Sequence, residues 1–114
     1  MPPSGLEHDR QLFESLLAEA RRLRPEIRAG LMFGCPALYL ARRMVACVYG
    51  QAIGLKLPAG TANLNLDAGR VTAFRPYGKP AMREWIQIEG GAAALGTCLD
   101  LLTAALDFAT AKPP

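Results

Sequence analysis

The sequence predicts a two-layer α+β domain, in which an antiparallel sheet of about five strands carries two long helices, one N-terminal and one C-terminal, on one face. Short apolar runs rich in β-branched and aromatic residues fill the middle of the chain, from Met32 to Pro58. The links between these runs are too short for crossovers, so neighbouring strands must be antiparallel. Both ends of the chain carry helical patterns with one apolar stripe, and two such helices must cover one face of the sheet.

The first element is a helix predicted over Leu6–Leu23. Its apolar stripe consists of Phe13, Leu16, Leu17, Ala20 and Leu23. Ser4 or Gly5 is expected to cap its start, and Pro25 ends it or closely follows its end.

The central strands follow this helix. The predicted strands are Ile27–Gly34, Ala37–Ala41, Met44–Tyr49 and Ala52–Leu57. Arg42-Arg43 separates two of the apolar runs and is expected to form a hairpin tip, while Gly50-Gln51 supplies the next break.

The second half of the chain alternates between short elements and loops. Pro58 predicts a turn or a helix start, Thr61–Leu66 a short helix, and Gly69 the left-handed position after it. Val71–Phe74 is predicted to be a small edge strand. The two prolines and the glycine of residues 75–80 favour a loop.

The last strand and the last helix complete the pattern. Met82–Glu89 alternates, with Trp85 on the opposite face from Ile86 and Ile88. Either both faces of the sheet are therefore partly covered, or Trp85 is partly exposed. After a Gly90-Gly91 hinge, Ala92–Ala109 is predicted to be a second long helix.

Length and composition bound the class of protein. The 114 residues predict a single domain, with residues 1–5 and 111–114 as flexible tails. A hydrophobic fraction of 51% and a charged fraction of 20% are typical of soluble proteins, and the net charge of +3 does not demand nucleic acid. We find no apolar run long enough to span a membrane and no secretory signal at the start, and we therefore expect a cytoplasmic protein.

The reactive residue types are sparse. Cys35, Cys47 and Cys98 are odd in number and lie in apolar contexts, which argues against a disulfide framework. The single histidine, His8, is expected to face solvent on the first helix, remote in sequence from every cysteine. The sequence thus predicts no catalytic residues, no metal site and no cofactor; Cys35 is expected to be the least buried cysteine.

One segment combines basic and aromatic residues. Arg75, Lys79 and Arg83 lie in or beside the proline-rich loop, with Tyr77 and Trp85 interleaved. Such a patch could hold a nucleic acid or another anion through phosphate contacts and stacking. The alternative is a solvated loop whose aromatic side chains anchor it to the sheet.

The order of several short motifs resembles the N-terminal domain of the TfoX/Sxy family. These motifs are Met32-Phe33-Gly34, Leu38-Tyr39, Met44-Val45-Ala46, Leu55-Lys56-Leu57, Phe74-Arg75-Pro76, Met82 and Trp85. The resemblance runs from Leu6 to the last helix. It implies a compact α+β fold, and better-known members of the family are linked to the regulation of natural competence. It supplies no catalytic residues.

Three hypotheses of function follow. The first is a small non-enzymatic binding or regulatory module of the TfoX N-terminal type, which acts through protein contacts and possible self-association as a homodimer. The second is nucleic-acid binding through Arg75, Lys79, Arg83 and Trp85. The third is an enzyme or ligand pocket near Cys35 or Tyr39.

Overall fold

A computed structural model describes residues 7–110 of the chain. The helices are α1 (Arg10–Leu23), α2 (Ala59–Asp67), α3 (Ala92–Thr97) and α4 (Leu99–Thr110), with a 3₁₀ turn at Pro76–Gly78. The strands are β1 (Arg28–Met32), β2 (Cys35–Leu40), β3 (Arg43–Tyr49), β4 (Ala52–Lys56), β5 (Thr72–Ala73) and β6 (Trp85–Ile88).

The six strands form one sheet in the order β1-β2-β3-β4-β6-β5, and every neighbouring pair is antiparallel. The predicted α+β class is therefore confirmed, with six strands instead of about five. β1 and β5 form the two edges, and β5 has only two residues.

One face of the sheet, which we call the helical face, carries Leu38, Val48, Ile53, Leu55 and Ile86. These side chains form one buried cluster with residues of all four helices. The largest helix side chains that are fully or almost fully buried in the cluster are Leu16, Leu102 and Leu106. Burial of apolar area against these helices is the main force that holds the two layers together.

The opposite face, which we call the loop face, carries Ala37, Cys47, Gly54 and Trp85. A second buried cluster forms here without any helix residue. Its buried members are Met32, Cys35, Ala37, Cys47, Phe74 and Trp85. The first of the two alternatives for Trp85 is therefore correct: both faces of the sheet are partly covered, and Trp85 is buried.

The predicted helix boundaries need two corrections. α1 begins at Arg10 and its N-cap is Asp9, not Ser4 or Gly5; the Asp9 carboxylate accepts a hydrogen bond from the Leu12 amide at 3.0 Å. Ser4, Gly5 and both expected flexible tails lie outside the described residues.

The predicted single C-terminal helix is in fact two helices, because Cys98 has non-helical backbone angles (φ −115°, ψ 16°). The break lets α3 contact α1 and β4 while α4 crosses β2, β3 and β4. Arg70 lies at this junction, where its guanidinium donates to the Thr97 carbonyl and to the Asp100 carboxylate.

The turn predictions are mostly correct. Gly69 has a positive φ of 76° after α2, and Gly50 has one of 62° between β3 and β4. The hairpin between β2 and β3 is displaced by one residue from the expected tip, because its link is Ala41-Arg42 and Arg43 already belongs to β3. An irregular register between Leu38 and Tyr39 accompanies this shift. Among residues 7–110, no helix is both long and apolar enough to cross a membrane.

Candidate functional site

The segment between β5 and β6 lies over the loop face and is anchored by aromatic rings. Phe74 packs against Trp85 with ring centroids 5.7 Å apart, and Tyr49 contacts both Phe74 and Tyr77 edge to face. The Tyr49 hydroxyl also accepts a hydrogen bond from the Tyr77 amide at 2.7 Å. Tyr77 itself has a left-handed backbone (φ 56°), which this packing holds in place.

The same segment presents its cations to solvent. Arg75, Lys79 and Arg83 are all exposed. The Lys79 ammonium lies 5.8 Å from the centre of the exposed Phe33 ring, within cation–π range. The ion pairs among residues 7–110 involve other arginines, so these three cations have no carboxylate partner there.

Trp85, the fourth predicted site residue, differs from the other three because its side chain is only 5% exposed. Its ring is part of the aromatic cluster beneath the loop and offers no open face for a stacked base in this conformation. Phe33 is the aromatic ring that lies exposed beside the cations. The sequence predicted Trp85 on the face opposite to Ile86, and the alternative in which aromatic side chains anchor a solvated loop to the sheet describes these ring contacts.

A groove of about 360 Å³ lies beside this loop, between α2 and the segment that leads into β6. Its polar side chains are Asn63, Arg83 and Glu84, and Trp85 and Met82 contribute apolar surface. Its lining is completed by Ala59, Ala62, Leu66, Ala73 and Ala81. Arg83 and Glu84 lie side by side in the sequence, so the groove carries charges of both signs.

His8 was expected to face solvent on the first helix, and this prediction is wrong. His8 precedes α1 and is half-buried, and its Nδ1 accepts a hydrogen bond from the Gly50 amide at 2.9 Å. The adjacent Asp9 amide donates to the Gly50 carbonyl at 2.8 Å, which attaches the start of α1 to the β3–β4 turn. A ring nitrogen that accepts a hydrogen bond carries no proton, so His8 is neutral with its proton on Nε2.

His8 and Cys35 both lie close to the hydroxyl of Tyr77. Its Nε2 lies 3.4 Å from the Tyr77 hydroxyl, which lies 3.6 Å from the Cys35 sulfur and donates to the Phe33 carbonyl at 3.0 Å. Cys35 was expected to be the least buried cysteine, but this prediction is wrong. Cys35 and Cys47 are fully buried, and Cys98 is 1% exposed.

The electrostatics of this network do not activate a nucleophile. Burial raises the pKa of the Cys35 thiol, and the hydrogen bond to Cys35, together with burial, raises the pKa of Tyr77 to about 12. Burial lowers the pKa of His8. All three groups are therefore neutral at pH 7, and the network links three segments of the chain instead of preparing a thiolate. Among residues 7–110, no group of histidine, cysteine and acidic side chains could hold a metal ion.

The β1 edge of the sheet is the other exposed feature near this loop. Phe33 and Gly34 form a two-residue turn with positive φ values of 52° and 80°, which pairs Met32 with Cys35. Hydrogen-bonding direction alternates along an antiparallel strand, so the backbone groups of Leu31 and Ala29 point away from β2. The Leu31 carbonyl accepts a hydrogen bond from the Tyr39 hydroxyl at 2.6 Å.

Large apolar side chains lie exposed at this edge. Leu31 is 67% exposed and Phe33, in the turn that follows, is 58% exposed. Neither residue belongs to the set of site residues that the sequence predicts. Alternation places Leu31 on the same face of β1 as Ala29, but it does not show that β1 is an edge strand, and nothing in the sequence indicates the exposure of Phe33.

Comparison with protein-family models, curated proteins and solved structures returned no match. Any assignment of function therefore depends on the residues and on the geometry described above.

Proposed function

We propose that this chain is a small non-enzymatic binding module of the TfoX N-terminal type, which acts through protein contacts and self-association. The observation that carries the proposal is the β1 edge, where Leu31 and Phe33 are exposed next to backbone groups that point away from β2. An exposed edge strand with apolar side chains is a template for pairing with another chain. The TfoX/Sxy resemblance supports a regulatory role, because the family's motifs follow the same order here.

Self-association has a specific register at this edge. If two β1 strands pair antiparallel about Gly30, Leu31 of one copy lies opposite Ala29 of the other. Both residues lie on the helical face, so their apolar side chains would pack together at the new junction. The hydroxyl of Tyr39 occupies one lone pair of the Leu31 carbonyl and leaves the second for the partner strand.

Sedimentation velocity over a range of concentrations tests this proposal. We expect a concentration-dependent dimer in the parent chain and a monomer in Leu31→Lys, because a charge at an edge strand opposes pairing. Leu64→Lys is the matched control, since Leu64 is 70% exposed on α2, which packs against β6 near the opposite edge of the sheet from β1. A parent chain that stays monomeric at every concentration, or a dimer that Leu31→Lys leaves intact, would contradict the proposed register.

Nucleic-acid binding is the second candidate, and one observation favours it. Arg75, Lys79 and Arg83 extend from a single loop without carboxylate partners among the described residues, beside the exposed ring of Phe33. Three such cations could contact successive phosphates of a single strand while the ring stacks on a base.

Fluorescence anisotropy with labelled single-stranded DNA and RNA tests this candidate. Three phosphate contacts predict a slope of about −2 for log K against log salt concentration. The triple variant Arg75→Ala, Lys79→Ala, Arg83→Ala should abolish binding, whereas Arg10→Ala with Arg22→Ala should not. Absence of binding to any oligonucleotide at low salt would remove nucleic acid from consideration.

We also propose a cytoplasmic location for the protein. The three cysteines are all free and buried, which suits a reducing compartment. Fractionation of cells that produce the tagged protein would test this location, and its recovery in an extracellular or membrane fraction would contradict it.

A further inference from the structure

A cavity at one end of the sheet has a charge pattern that the proposed function does not use. It lies between the link that joins β2 to β3, the end of β4 and the last turn of α4, and it has a volume of about 270 Å³. Its lining consists of Arg42, Arg43, Met44, Lys56, Phe108 and Ala109. We call it the hairpin pocket.

Three of these six residues are cationic and none is acidic. The chain contains no Asp or Glu between residues 27 and 66, so the two strands and the turn that supply the cations bring no carboxylate with them. Asp107 precedes Phe108 on α4, but its carboxylate is paired with Arg24 at 3.0 Å. The walls of the hairpin pocket therefore supply no carboxylate to Arg42 or Lys56.

Arg43 has a positioning role in the pocket. Its guanidinium donates to the Ala109 carbonyl at 3.3 Å, which ties the hairpin to the C-terminal end of α4 and offsets the partial negative charge there. By contrast, the side chains of Arg42 and Lys56 form no hydrogen bond or ion pair with any residue that the structure describes. These two cations are available to a ligand.

The remaining walls are apolar. Met44 and Phe108 are both half-buried, so each presents part of its side chain to the cavity. Two larger cavities formed by residues 7–110 differ in charge: one, at the start of α1, contains Asp9 and Glu14, and the groove beside Trp85 contains Glu84. The hairpin pocket thus combines two cations without a partner among the described residues, Arg42 and Lys56, with an apolar wall.

We propose that the hairpin pocket binds a small organic anion. Arg42 and Lys56 contact its phosphate or carboxylate group, and Met44 and Phe108 contact its apolar body. The volume lies just under the usual range of about 300–1,000 Å³ for small-molecule sites, which favours a ligand with a single ring. Two cations contribute more electrostatic binding free energy to a doubly charged phosphate ester than to a singly charged carboxylate.

Phenyl phosphate is the probe that matches this chemistry, and amide chemical-shift titration of the full chain is the measurement. We expect saturable shifts centred on residues 42–44, 56 and 108–109. Arg42→Gln with Lys56→Gln should weaken binding by about tenfold or more, since it removes two charge-assisted contacts. Arg10→Gln with Arg22→Gln lowers the net charge equally, but these residues lie on α1 outside the pocket, so affinity should change by less than about twofold.

Two further titrations separate the parts of the site. Benzoate should bind the same residues more weakly than phenyl phosphate, and Phe108→Leu should weaken phenyl phosphate while leaving inorganic phosphate unchanged. The spectrum of each variant reports whether it is folded. Shifts that never saturate, that centre on other residues, or that weaken equally in the α1 control variant would overturn the proposal.

Discussion

At the scale of single residues, His8 shows how one side chain joins distant parts of the molecule. Its two ring nitrogens contact the Gly50 amide and the Tyr77 hydroxyl, so it links the segment before α1 to the β3–β4 turn and to the loop that covers the sheet. The Nδ1 contact requires a neutral ring, because a protonated nitrogen cannot accept from the Gly50 amide.

This requirement predicts a pH dependence of stability. Burial holds the pKa of His8 below its ordinary value of 6.5, so the unfolded chain takes up a proton first as the pH falls. The contribution of His8 to the free energy of unfolding is therefore fully present above pH 6.5. It is lost as the pH falls through the lower pKa that His8 has in the folded state. Urea unfolding between about pH 7.5 and about pH 5.5 should show decreasing stability.

His8→Asn provides the matched variant. Its side-chain oxygen can still accept from the Gly50 amide but does not titrate, so the pH dependence over this range should flatten. His8 is the only histidine in the chain, which makes the comparison direct. An unchanged slope in the variant would show that another group is responsible.

At the scale of elements, β4 depends on a glycine for its position beneath the loop. Gly54 lies opposite Cys47 on the loop face, where the Phe74 ring covers both strands. A Cβ atom at this position would lie 2.8 Å from the Cys47 sulfur and 3.6 Å from the Phe74 ring. The absence of a side chain thus lets Phe74 approach the sheet closely.

Gly54→Ala should therefore destabilise the domain, by about 1–3 kcal/mol as for other overpacked cores. Gly60→Ala is the control, because nothing lies within 4 Å of its added Cβ on α2 and alanine favours the helix. Denaturant unfolding measures both variants. Cys47→Ala should rescue part of the loss in Gly54→Ala, because it removes the clashing sulfur; two effects that simply add would contradict the steric explanation.

At the scale of the whole molecule, the charges are divided between segments. Residues 27–83, which form most of the sheet and its covering loop, contain eight cationic side chains and one carboxylate. Residues 84–110, which include α3 and α4, contain four carboxylates and no cation. A net charge of +3 therefore understates the positive charge of the sheet end and the loop.

This division predicts different effects from equal changes of net charge. Arg75→Gln with Arg83→Gln removes two cations that have no carboxylate partner among the described residues, whereas Arg10→Gln with Arg22→Gln removes two that pair with Glu14 and Glu19. On a cation-exchange column at neutral pH, the first variant should elute clearly earlier than the second. Equal elution would show that only the net charge governs the interaction with a polyanionic surface.

The sequence by itself determined the fold class, because the period of the apolar residues fixes helix or strand locally and short links force antiparallel pairing. It also determined that Trp85 and Ile86 face opposite ways, since alternation is a property of the strand alone. The sequence did not predict the break at Cys98, because the apolar pattern of residues 92–109 continues across it. Packing on the sheet imposes the change of helix direction at this point.

Only the tertiary structure decided which side chains meet across long stretches of chain. The contact between His8 and Tyr77 joins residues 69 positions apart, and the hairpin pocket joins Arg42 and Lys56 to Phe108. Trp85 is buried because the loop before it folds back over the sheet. Leu31 is exposed because β1 is an edge strand, and Phe33 lies exposed in the turn that follows it. Such contacts arise from the packing of whole elements, for which local periodicity contains no signal.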